Sequence, residues 1–352
     1  MNLFANTYTK RELLECIGDL SAVADARAST LLDGSGRGMR IVDVRAGSGF
    51  SFTVLPDRGL DIAHCEYQGV PLAFVSKTGL VSPYLYEHGG TGFLRSFTGG
   101  LLTTCGYTHM GAAGMDEGET LGLHGRATAL LADDLCVRKE WQGDDYLLEV
   151  SGTLRQSAFF AEHITLGRKI TVKAGEQKLL IEDTYENNGF NTQPFMLLYH
   201  INFGYPIVSP DSVLITSGAD VIPRDDDAAS GLDQHARFEP PTHNYREQVF
   251  YHHMHKTQDG KAWACILNKK MDLGAYVRYD TTELPYLIQW KQMGQGDYVC
   301  GLEPGNTYPE GRAAARERGQ LRYIEPGETK RLWLEIGVAG GCIQRPFANE
   351  CE

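Results

Sequence analysis

The sequence predicts an all-β protein built from large antiparallel sheets. Apolar and polar residues alternate along residues 164–172, the chain turns at Lys-Ala-Gly-Glu (173–176), and the alternation returns along residues 179–185. A second run alternates through Leu321 and Tyr323, turns at Glu-Pro-Gly-Glu (325–328) and returns along residues 332–338. Alternation of this kind is typical of strands with one buried face, and a short turn between two such runs predicts a hairpin. Helical periodicity nearly disappears after the first 25 residues, so we predict a β-sandwich.

The first 25 residues carry the clearest helix signal in the chain. Thr9 followed by Glu12 has the form of a capping box, and apolar residues follow at positions 13, 14 and 17. We therefore predict a short helix in an N-terminal extension, residues 1–25.

Strand alternation then takes over, with one face formed by Phe50, Phe52 and Val54 and the next by Leu60, Ile62 and His64. No shift in composition divides the chain, so we predict one domain spanning residues 1–352.

Two segments interrupt the strand pattern and are long enough to need a functional reason. Residues 82–127 contain many glycines together with tyrosine, phenylalanine and arginine, which is too aromatic for a disordered linker. We predict that this segment is an ordered loop that lines a site. Residues 222–259 are rich in Asp, Pro and His, and we predict an insertion or a lid there.

Composition limits the partners that the protein can bind. The 352 residues are 42% hydrophobic and carry a formal net charge of −12, without the Lys/Arg clusters that nucleic-acid binding requires. The chain has no stretch of eighteen apolar residues and no apolar core of a signal peptide near its start. We therefore expect a cytoplasmic protein that binds a small molecule, with no nucleic-acid or membrane partner. The sequence leaves open whether it is a monomer or a homodimer.

The cysteine and histidine patterns do not predict a metal site. The eight cysteines are scattered without a C-x-x-C pair, and Cys105, which lies among glycines, is more consistent with a buried structural thiol than with a nucleophile. The cluster of His252, His253 and His255 lacks acidic or cysteine partners at a recognised spacing. We predict no metal and no cofactor.

The residues best suited to acid–base chemistry are His200 and Glu303. His200 lies at the end of the apolar run 195–199, where a strand leaves the core and an imidazole can face a cleft. Glu303 ends the run 298–302 and precedes Pro-Gly, so burial could raise its pKa and make it a base near neutrality. The alternatives are a core histidine and an ordinary turn glutamate.

A second pair, His124 and Arg126, is suited to binding a ligand. The two residues flank Gly125, so in an extended segment both side chains would point to the same face, and the glycine would let a ligand approach the backbone. This geometry suits contacts with sugar hydroxyls, whereas the alternative is a histidine and an arginine on the surface of a loop.

Three motifs together resemble the galactose mutarotase-like (aldose 1-epimerase) superfamily, and most closely its DUF4432 family. They are Leu-His-Gly-Arg at 123–126, Tyr-His-Ile-Asn-Phe-Gly-Tyr-Pro at 199–206 and Leu-Glu-Pro-Gly at 302–305, in the family's order. The resemblance extends from about residue 54 to the last hairpin. It implies a β-supersandwich with a cofactor-free sugar site on its concave face.

The resemblance also implies roles for individual residues. In such enzymes a histidine late in a strand protonates the ring oxygen, a glutamate takes the proton of the anomeric hydroxyl, and a second histidine and an arginine hold the sugar. His200 and Glu303 match the catalytic pair, and His124 and Arg126 match the binding pair. Further candidates for substrate binding are Asn202, Gln289, Trp290, Lys291 and, more weakly, Arg95.

The sequence accordingly predicts an aldose 1-epimerase that interconverts the anomers of a sugar. Galactose mutarotases have Asn-His-x-Tyr-Phe-Asn where this chain has Tyr-His-Ile-Asn-Phe-Gly, so the sugar is left open. Two alternatives also remain open: an epimerase or isomerase acting at another carbon, and a carbohydrate-binding protein without turnover.

Overall fold

The fold was analysed in a computed structural model that describes residues 1–255 and 259–340. Its helices are short: α1 (Lys10–Cys16), α2 (Asp226–Ser230) and α3 (Arg312–Glu317), with single 3₁₀ turns at Leu20–Ala22, Pro83–Leu85, Gly92–Arg95, Ala127–Ala129 and Leu232–Gln234. Thr9 caps α1 through the capping box with Glu12 that the sequence predicts. None of the helices in the described residues is long and apolar enough to cross a membrane.

Strands make up most of the chain. In order they are β1 (Asn2–Leu3), β2 (Asn6–Thr7), β3 (Asp25–Thr30), β4 (Arg40–Arg45), β5 (Phe50–Leu55), β6 (Asp61–Tyr67), β7 (Val70–Pro71), β8 (Leu102–Tyr107), β9 (Gly114–Asp116), β10 (Glu119–Leu121), β11 (Asp133–Gln142), β12 (Asp145–Ser157) and β13 (His163–Lys173). They continue as β14 (Lys178–Asn187), β15 (Gln193–Pro194), β16 (Met196–Gly204), β17 (Ser212–Thr216), β18 (Ala219–Pro223), β19 (Gln248–Met254), β20 (Lys261–Asn268), β21 (Leu273–Asp280), β22 (Tyr286–Gly294), β23 (Asp297–Gly305), β24 (Tyr323–Ile324) and β25 (Thr329–Gly340).

Two large antiparallel sheets form the body of the molecule. The smaller has the order β11-β12-β13-β14-β25-β21-β20-β17, and the larger has the order β18-β19-β22-β23-β16-β8-β6-β5-β4-β3, with β7 added beside β6. The main apolar core contains inward-facing residues of both sheets, so it lies between them. The protein therefore has the all-β sandwich of large antiparallel sheets that the sequence predicts.

The outer face of the larger sheet carries a second apolar cluster. Met196 and Leu198 belong to it, whereas their neighbours Leu197 and Tyr199 belong to the main core, as the alternation of a strand requires. Phe93 and Phe97, from the predicted glycine-rich loop, pack on the same cluster. The loop of residues 82–127 therefore covers part of this face.

The first predicted hairpin forms, and it carries a buried ion pair. Strands β13 and β14 pair with Arg168 directly opposite Asp183, and both side chains are fully buried. Arg168 donates to both carboxylate oxygens of Asp183, at 2.9 and 2.6 Å. A buried charge is tolerated when it is paired and hydrogen-bonded in this way, so two charged residues can occupy core-facing positions of an alternating strand.

The last predicted hairpin does not form. Tyr323 pairs with Pro194 in a separate two-stranded sheet, and β25 instead lies between β14 and β21. The turn at 325–328 thus connects two different sheets. The predicted alternation also fails at His64, because a bulge between β5 and β6 makes Cys65 the core residue and leaves His64 exposed.

Candidate active site

A cavity of about 320 Å³ opens on the outer face of the larger sheet. Its walls come from four strands of that sheet (β16, β19, β22 and β23), from the loop 82–127 and from residues that flank the strands. The lining residues are Phe93, Leu94, Phe97, Ala112, Leu123, His124, His200, Arg224, Glu247, Val249, Ile288, Trp290, Glu303 and Pro309. The cavity thus brings together both predicted catalytic residues and His124.

His200 and Glu303 meet because their strands are neighbours. Strands β16 and β23 pair with Ile201 opposite Leu302 and Leu198 opposite Gly305, which places His200 opposite Glu303. The His200 Nε2 atom lies 3.2 Å from Glu303 Oε1, and both side chains are buried. A histidine and a carboxylic acid that are 103 residues apart in the chain are thus adjacent in the cavity, as proton transfer between them would require.

Burial opposes a charge on either member of this pair. Removal from water, and then the neighbouring imidazole of His124, lower the pKa of His200 to about 3. Burial, and then the nearby Glu247 carboxylate, raise the pKa of Glu303 well above its ordinary value. The favoured state at neutral pH is therefore a neutral imidazole beside a protonated carboxyl.

Several polar atoms at the site have no hydrogen-bond partner among the described residues. They are His200 Nδ1, His124 Nδ1 and Glu303 Oε1, all of them buried, and the last lies 3.2 Å from His200 Nε2 without hydrogen-bond geometry. Buried polar atoms are almost always paired in folded proteins, so unpaired ones that border a cavity indicate groups held for a ligand.

His124 is held by an unusual backbone conformation. It has φ of +60° and Gly125 has φ of +75°, both in the left-handed region. Its ring lies 5.8 Å from that of His200 and 5.0 Å from that of Phe93, measured between centroids. Burial lowers the pKa of His124 to about 4, so it enters the site as a neutral imidazole.

Two aromatic rings lie beside His200, one member of the predicted catalytic pair. The ring of Trp290 lies 5.3 Å from that of His200 in an edge-to-face arrangement, and the ring of Phe97 lies 5.3 Å from it on another side. Trp290 is directly opposite Gly301 on β23, two residues before Glu303. An aromatic face beside a buried acid–base pair is suited to the apolar face of a sugar ring.

Gln289 and Lys291 do not line the cavity, contrary to our prediction. They alternate with Ile288 and Trp290 along β22, so they point to the opposite face of the sheet. There Gln289 Nε2 donates to the His235 carbonyl at 2.7 Å, and the fully buried Lys291 Nζ donates to Glu239 Oε1 at 3.0 Å. Both residues anchor the segment 222–259 against the sheet.

Arg126, Arg95 and Asn202 also lie outside the cavity lining. Arg126 is exposed, with its Nη1 3.4 Å from His88, because the left-handed turn at His124-Gly125 replaces the extended geometry that our prediction assumed. Arg95 is exposed beside Glu87, 3.6 Å away.

Asn202 is buried, and its amide group donates to the carbonyls of Gly100 and His200. Asn202 therefore supports the strand that carries His200.

Two lining residues, Arg224 and Glu247, were missed by the sequence analysis. They are adjacent because Arg224 follows β18 and Glu247 precedes β19, and these strands pair. Glu247 Oε2 accepts from Trp290 Nε1 at 2.8 Å, and Glu247 Oε1 lies 3.1 Å from Arg224 Nη2. The predicted insertion 222–259, of which residues 256–258 lie outside the described part, thus contains strand β19, next to edge strand β18 of the larger sheet, and supplies three cavity residues, Arg224, Glu247 and Val249.

The remaining candidates have other surroundings. His252 contacts Gln289 Oε1 at 3.0 Å, and His253 contacts the Tyr308 hydroxyl. The described residues contain no group of three His, Cys, Asp or Glu side chains arranged to hold a metal.

Cys105 is fully buried, and burial raises the pKa of its thiol well above the ordinary value, which is consistent with a structural role. Cys342 and Cys351 lie outside the described residues.

Comparisons with known proteins give a consistent result. A family model described as a domain of unknown function, DUF4432, matches residues 36–338. A candidate aldose 1-epimerase from Klebsiella pneumoniae has a similar structure, with a TM-score of 0.87 and 24% identity over 93% of this chain and 88% of that one. Galactose 1-epimerase from Lactobacillus acidophilus is more distant, with a TM-score of 0.59 and 13% identity over 90% of this chain and 99% of that one.

A galactose mutarotase-like protein from Clostridium acetobutylicum aligns with a TM-score of 0.62 and 15% identity over 91% of this chain and all of that one. No curated protein matches the sequence. At these identities the similarity to solved structures establishes the shared fold.

Proposed function

The chain belongs to the DUF4432 family, and we propose that this member is a cofactor-independent aldose 1-epimerase that uses His200 and Glu303 as its acid–base pair. The observation that carries the proposal is the 3.2 Å approach of His200 Nε2 to Glu303 Oε1 in a buried cavity with unpaired polar atoms. The fold shared with aldose 1-epimerase-like structures supports the same reaction class.

Interconversion of anomers needs one proton removed and one proton delivered. Glu303 takes the proton of the anomeric hydroxyl, C1–O1 becomes a carbonyl, and the C1–O5 bond breaks with its electron pair on O5. His200 delivers a proton to O5, so the open-chain aldehyde carries no net charge. Rotation about C1–C2 presents the other face of the aldehyde, and the same transfers in reverse close the ring as the other anomer.

The proton count of the pair stays constant through this cycle. Ring opening starts from ionised Glu303 and protonated His200, and it ends with the neutral pair that burial favours. When a substrate binds, the neutral pair reaches the ionic form by moving one proton across the 3.2 Å between the two groups, and a substrate hydroxyl that donates to the carboxylate stabilises that form. Positioned acid and base groups each contribute about 10²–10⁴-fold, which suits a reaction that already proceeds in water.

The surroundings of the pair assign roles to three other residues. Trp290 offers its ring as a platform for the sugar, and Glu247 fixes the indole through the 2.8 Å hydrogen bond. Neutral His124 remains available to a hydroxyl through its ring nitrogens.

Exchange spectroscopy between anomers, run across a panel of aldoses, tests the proposal. We expect catalysed exchange with at least one sugar, and a loss of about 10²-fold or more in kcat for Glu303→Gln with an unchanged unfolding midpoint. Glu186→Gln, an exposed carboxylate on β14, is the matched control and should retain full activity. Solvent deuterium appearing on a substrate carbon would instead indicate epimerisation at that carbon, and full activity of folded Glu303→Gln would remove the acid–base assignment.

A further inference from the structure

From the distribution of charge and apolar surface in this cavity, we infer that its substrate is a neutral sugar with an apolar substituent at C5, of the 6-deoxyhexose class. This inference rests on the proposed function, because it uses the positions of His200 and Glu303 to orient the sugar. It concerns which aldose the site selects, which the family description does not specify.

The cavity has no uncompensated positive charge for an anionic sugar. Among its lining residues Arg224 is the only lysine or arginine, and its guanidinium is paired with Asp225 at 2.7 Å and with Glu247 at 3.1 Å. A carboxylate, phosphate or sulfonate on the substrate would lie near the Glu247 carboxylate without a cation of its own, and an unpaired charge in such a site is strongly disfavoured. The other cationic residues that the sequence offered, Arg126 and Lys291, lie outside the cavity lining.

The walls have few partners for hydroxyl groups. Nine of the fourteen lining residues are apolar or aromatic, and the five polar ones include the catalytic pair itself. That leaves His124, Arg224 and Glu247 for the remaining hydroxyls. A hydroxyl that enters an apolar wall loses its hydrogen bonds to water without replacement, so the site favours a substrate with fewer hydroxyls.

The position of the apolar wall identifies the substituent. In a pyranose the ring oxygen is bonded to both C1 and C5. With the anomeric hydroxyl at Glu303 and the ring oxygen at His200, C5 lies on the side of His200 away from Glu303. We assign that side to the group of His124, whose ring is 5.8 Å from that of His200, Phe93, whose ring is 5.0 Å from that of His124, and the neighbouring Leu123. A methyl group at C5 fits this wall, whereas a hydroxymethyl group has only the imidazole as a partner.

A comparison of sugars that differ only at C6 tests the inference directly. For the galacto, manno and gluco configurations, kcat/KM for anomer exchange should be compared among the 6-deoxyhexose, the parent hexose, the hexuronate and the hexose 6-phosphate. In the configuration that the enzyme prefers, we expect the 6-deoxyhexose to exceed the hexose about tenfold or more, in the range that one group in an apolar pocket provides. The two anions should fall below the hexose by about 100-fold or more. A hexuronate or phosphate that outperforms the neutral sugars would overturn the inference.

A variant of the cavity wall tests whether this wall causes the preference for the 6-deoxyhexose over the hexose. Leu123→Asn adds an amide to the proposed C5 wall at similar volume, and it should lower the ratio of 6-deoxyhexose to hexose activity about tenfold. Leu85→Asn changes an exposed leucine outside the lining and should keep the wild-type ratio. An unchanged ratio in Leu123→Asn would contradict the assigned orientation.

Binding to the Glu303→Gln protein, measured by calorimetry, keeps the inference testable without turnover. Tighter binding of the 6-deoxyhexose than of the hexose and hexuronate would support the selectivity of the cavity even when no sugar is turned over, in which case only the proposed reaction fails. Equal or weaker binding of the 6-deoxyhexose would overturn the substrate class while leaving the acid–base proposal to the exchange measurement.

Discussion

Gly301 makes room for the carboxylate of Glu303. The two residues lie on the same face of β23, and a β-carbon at position 301 would collide with Glu303 Oε1. A glycine in a strand interior normally weakens the strand, and it often marks a close approach of other atoms. Here the approaching group is the carboxylate that we propose as the catalytic base, so the glycine determines where this carboxylate can be relative to His200.

Gly301→Ala is therefore expected to impair catalysis more than folding. The methyl group displaces a flexible carboxylate end and no backbone, so the unfolding midpoint should stay near that of the wild type while kcat falls at least tenfold. Gly305→Ala is the matched control on the same strand face, because its β-carbon meets apolar side chains and a backbone carbonyl instead of the carboxylate. Equal kcat in the two variants would show that Gly301 does not position Glu303.

The pH dependence of kcat/KM should report the single proton shared by the pair. The pair is inactivated when it gains a second proton, near the lowered pKa of His200 of about 3, and when it loses its only proton at the raised pKa of Glu303. We expect activity to stay level from mildly acidic pH upward and to fall on the alkaline side.

Two variants should move that alkaline limit in opposite directions. The negative charge of Glu247 raises the pKa of Glu303 and the positive charge of Arg224 lowers it. Glu247→Gln should thus shift the limit to lower pH, and Arg224→Ala should shift it to higher pH. Shifts of the same sign in both variants would mean that the limit belongs to another group.

The sequence was sufficient to predict the strands whose signals are local. Arg168 and Asp183 occupy core positions of two alternating runs, and the pattern placed both runs in one hairpin even though the residues are charged. The run ending at Tyr323 looked equally regular, but its partner is the distant pair Gln193–Pro194, and no local pattern encodes that choice. Pairing between distant segments depends on the whole sheet, which alternation alone cannot specify.

The candidate site likewise contains residues that local sequence signals predict and residues that they do not predict. His200 and Glu303 do not lie at strand ends, as the apolar runs predicted, because β16 continues to Gly204 and β23 continues to Gly305. That both residues line one cavity could be predicted from the motif resemblance, which relates the two. The alternation of β22 also contained the signal that Gln289 and Lys291 face away once Trp290 faces the cavity. Arg224 and Glu247 could not be predicted, because their contact depends on two strand ends that meet at the sheet edge.

Arg224 should contribute to substrate binding, and Arg126 should not. Arg224 lines the cavity, whereas Arg126 is exposed, contacts His88 and does not belong to the lining. Arg224→Ala should raise KM several-fold with a smaller effect on kcat, because contacts with hydroxyls that do not change charge stabilise ground and transition states alike. Arg126→Ala serves as the charge-matched control and should leave KM near the wild-type value. A larger rise in KM for Arg126→Ala would restore the role that the motif resemblance implies.

Buried histidines should make the fold sensitive to acid. Burial lowers the pKa of His200 to about 3 and those of His109, His124 and His252 to about 4, from 6.5. Between these values the unfolded chain binds more protons than the folded one, so stability is fully present above about pH 6.5 and is lost as pH falls toward 4. For each histidine, the free energy of unfolding changes by up to about 1.4 kcal/mol per pH unit between its lowered pKa and 6.5. Glu303 has the opposite sign, because its raised pKa favours folding at low pH.

Urea unfolding at a series of pH values from 7 to 4 measures this slope. His252→Gln removes one titrating group on the face of β19 away from the cavity, where its ring contacts Gln289. We expect the slope of unfolding free energy against pH to decrease by about the share of one histidine, up to about 1.4 kcal/mol per pH unit. His64→Gln, at an exposed position of β6, is the matched control. Because the two variants make the same substitution in opposite environments, an equal change in slope would show that burial of the imidazole does not cause the acid sensitivity.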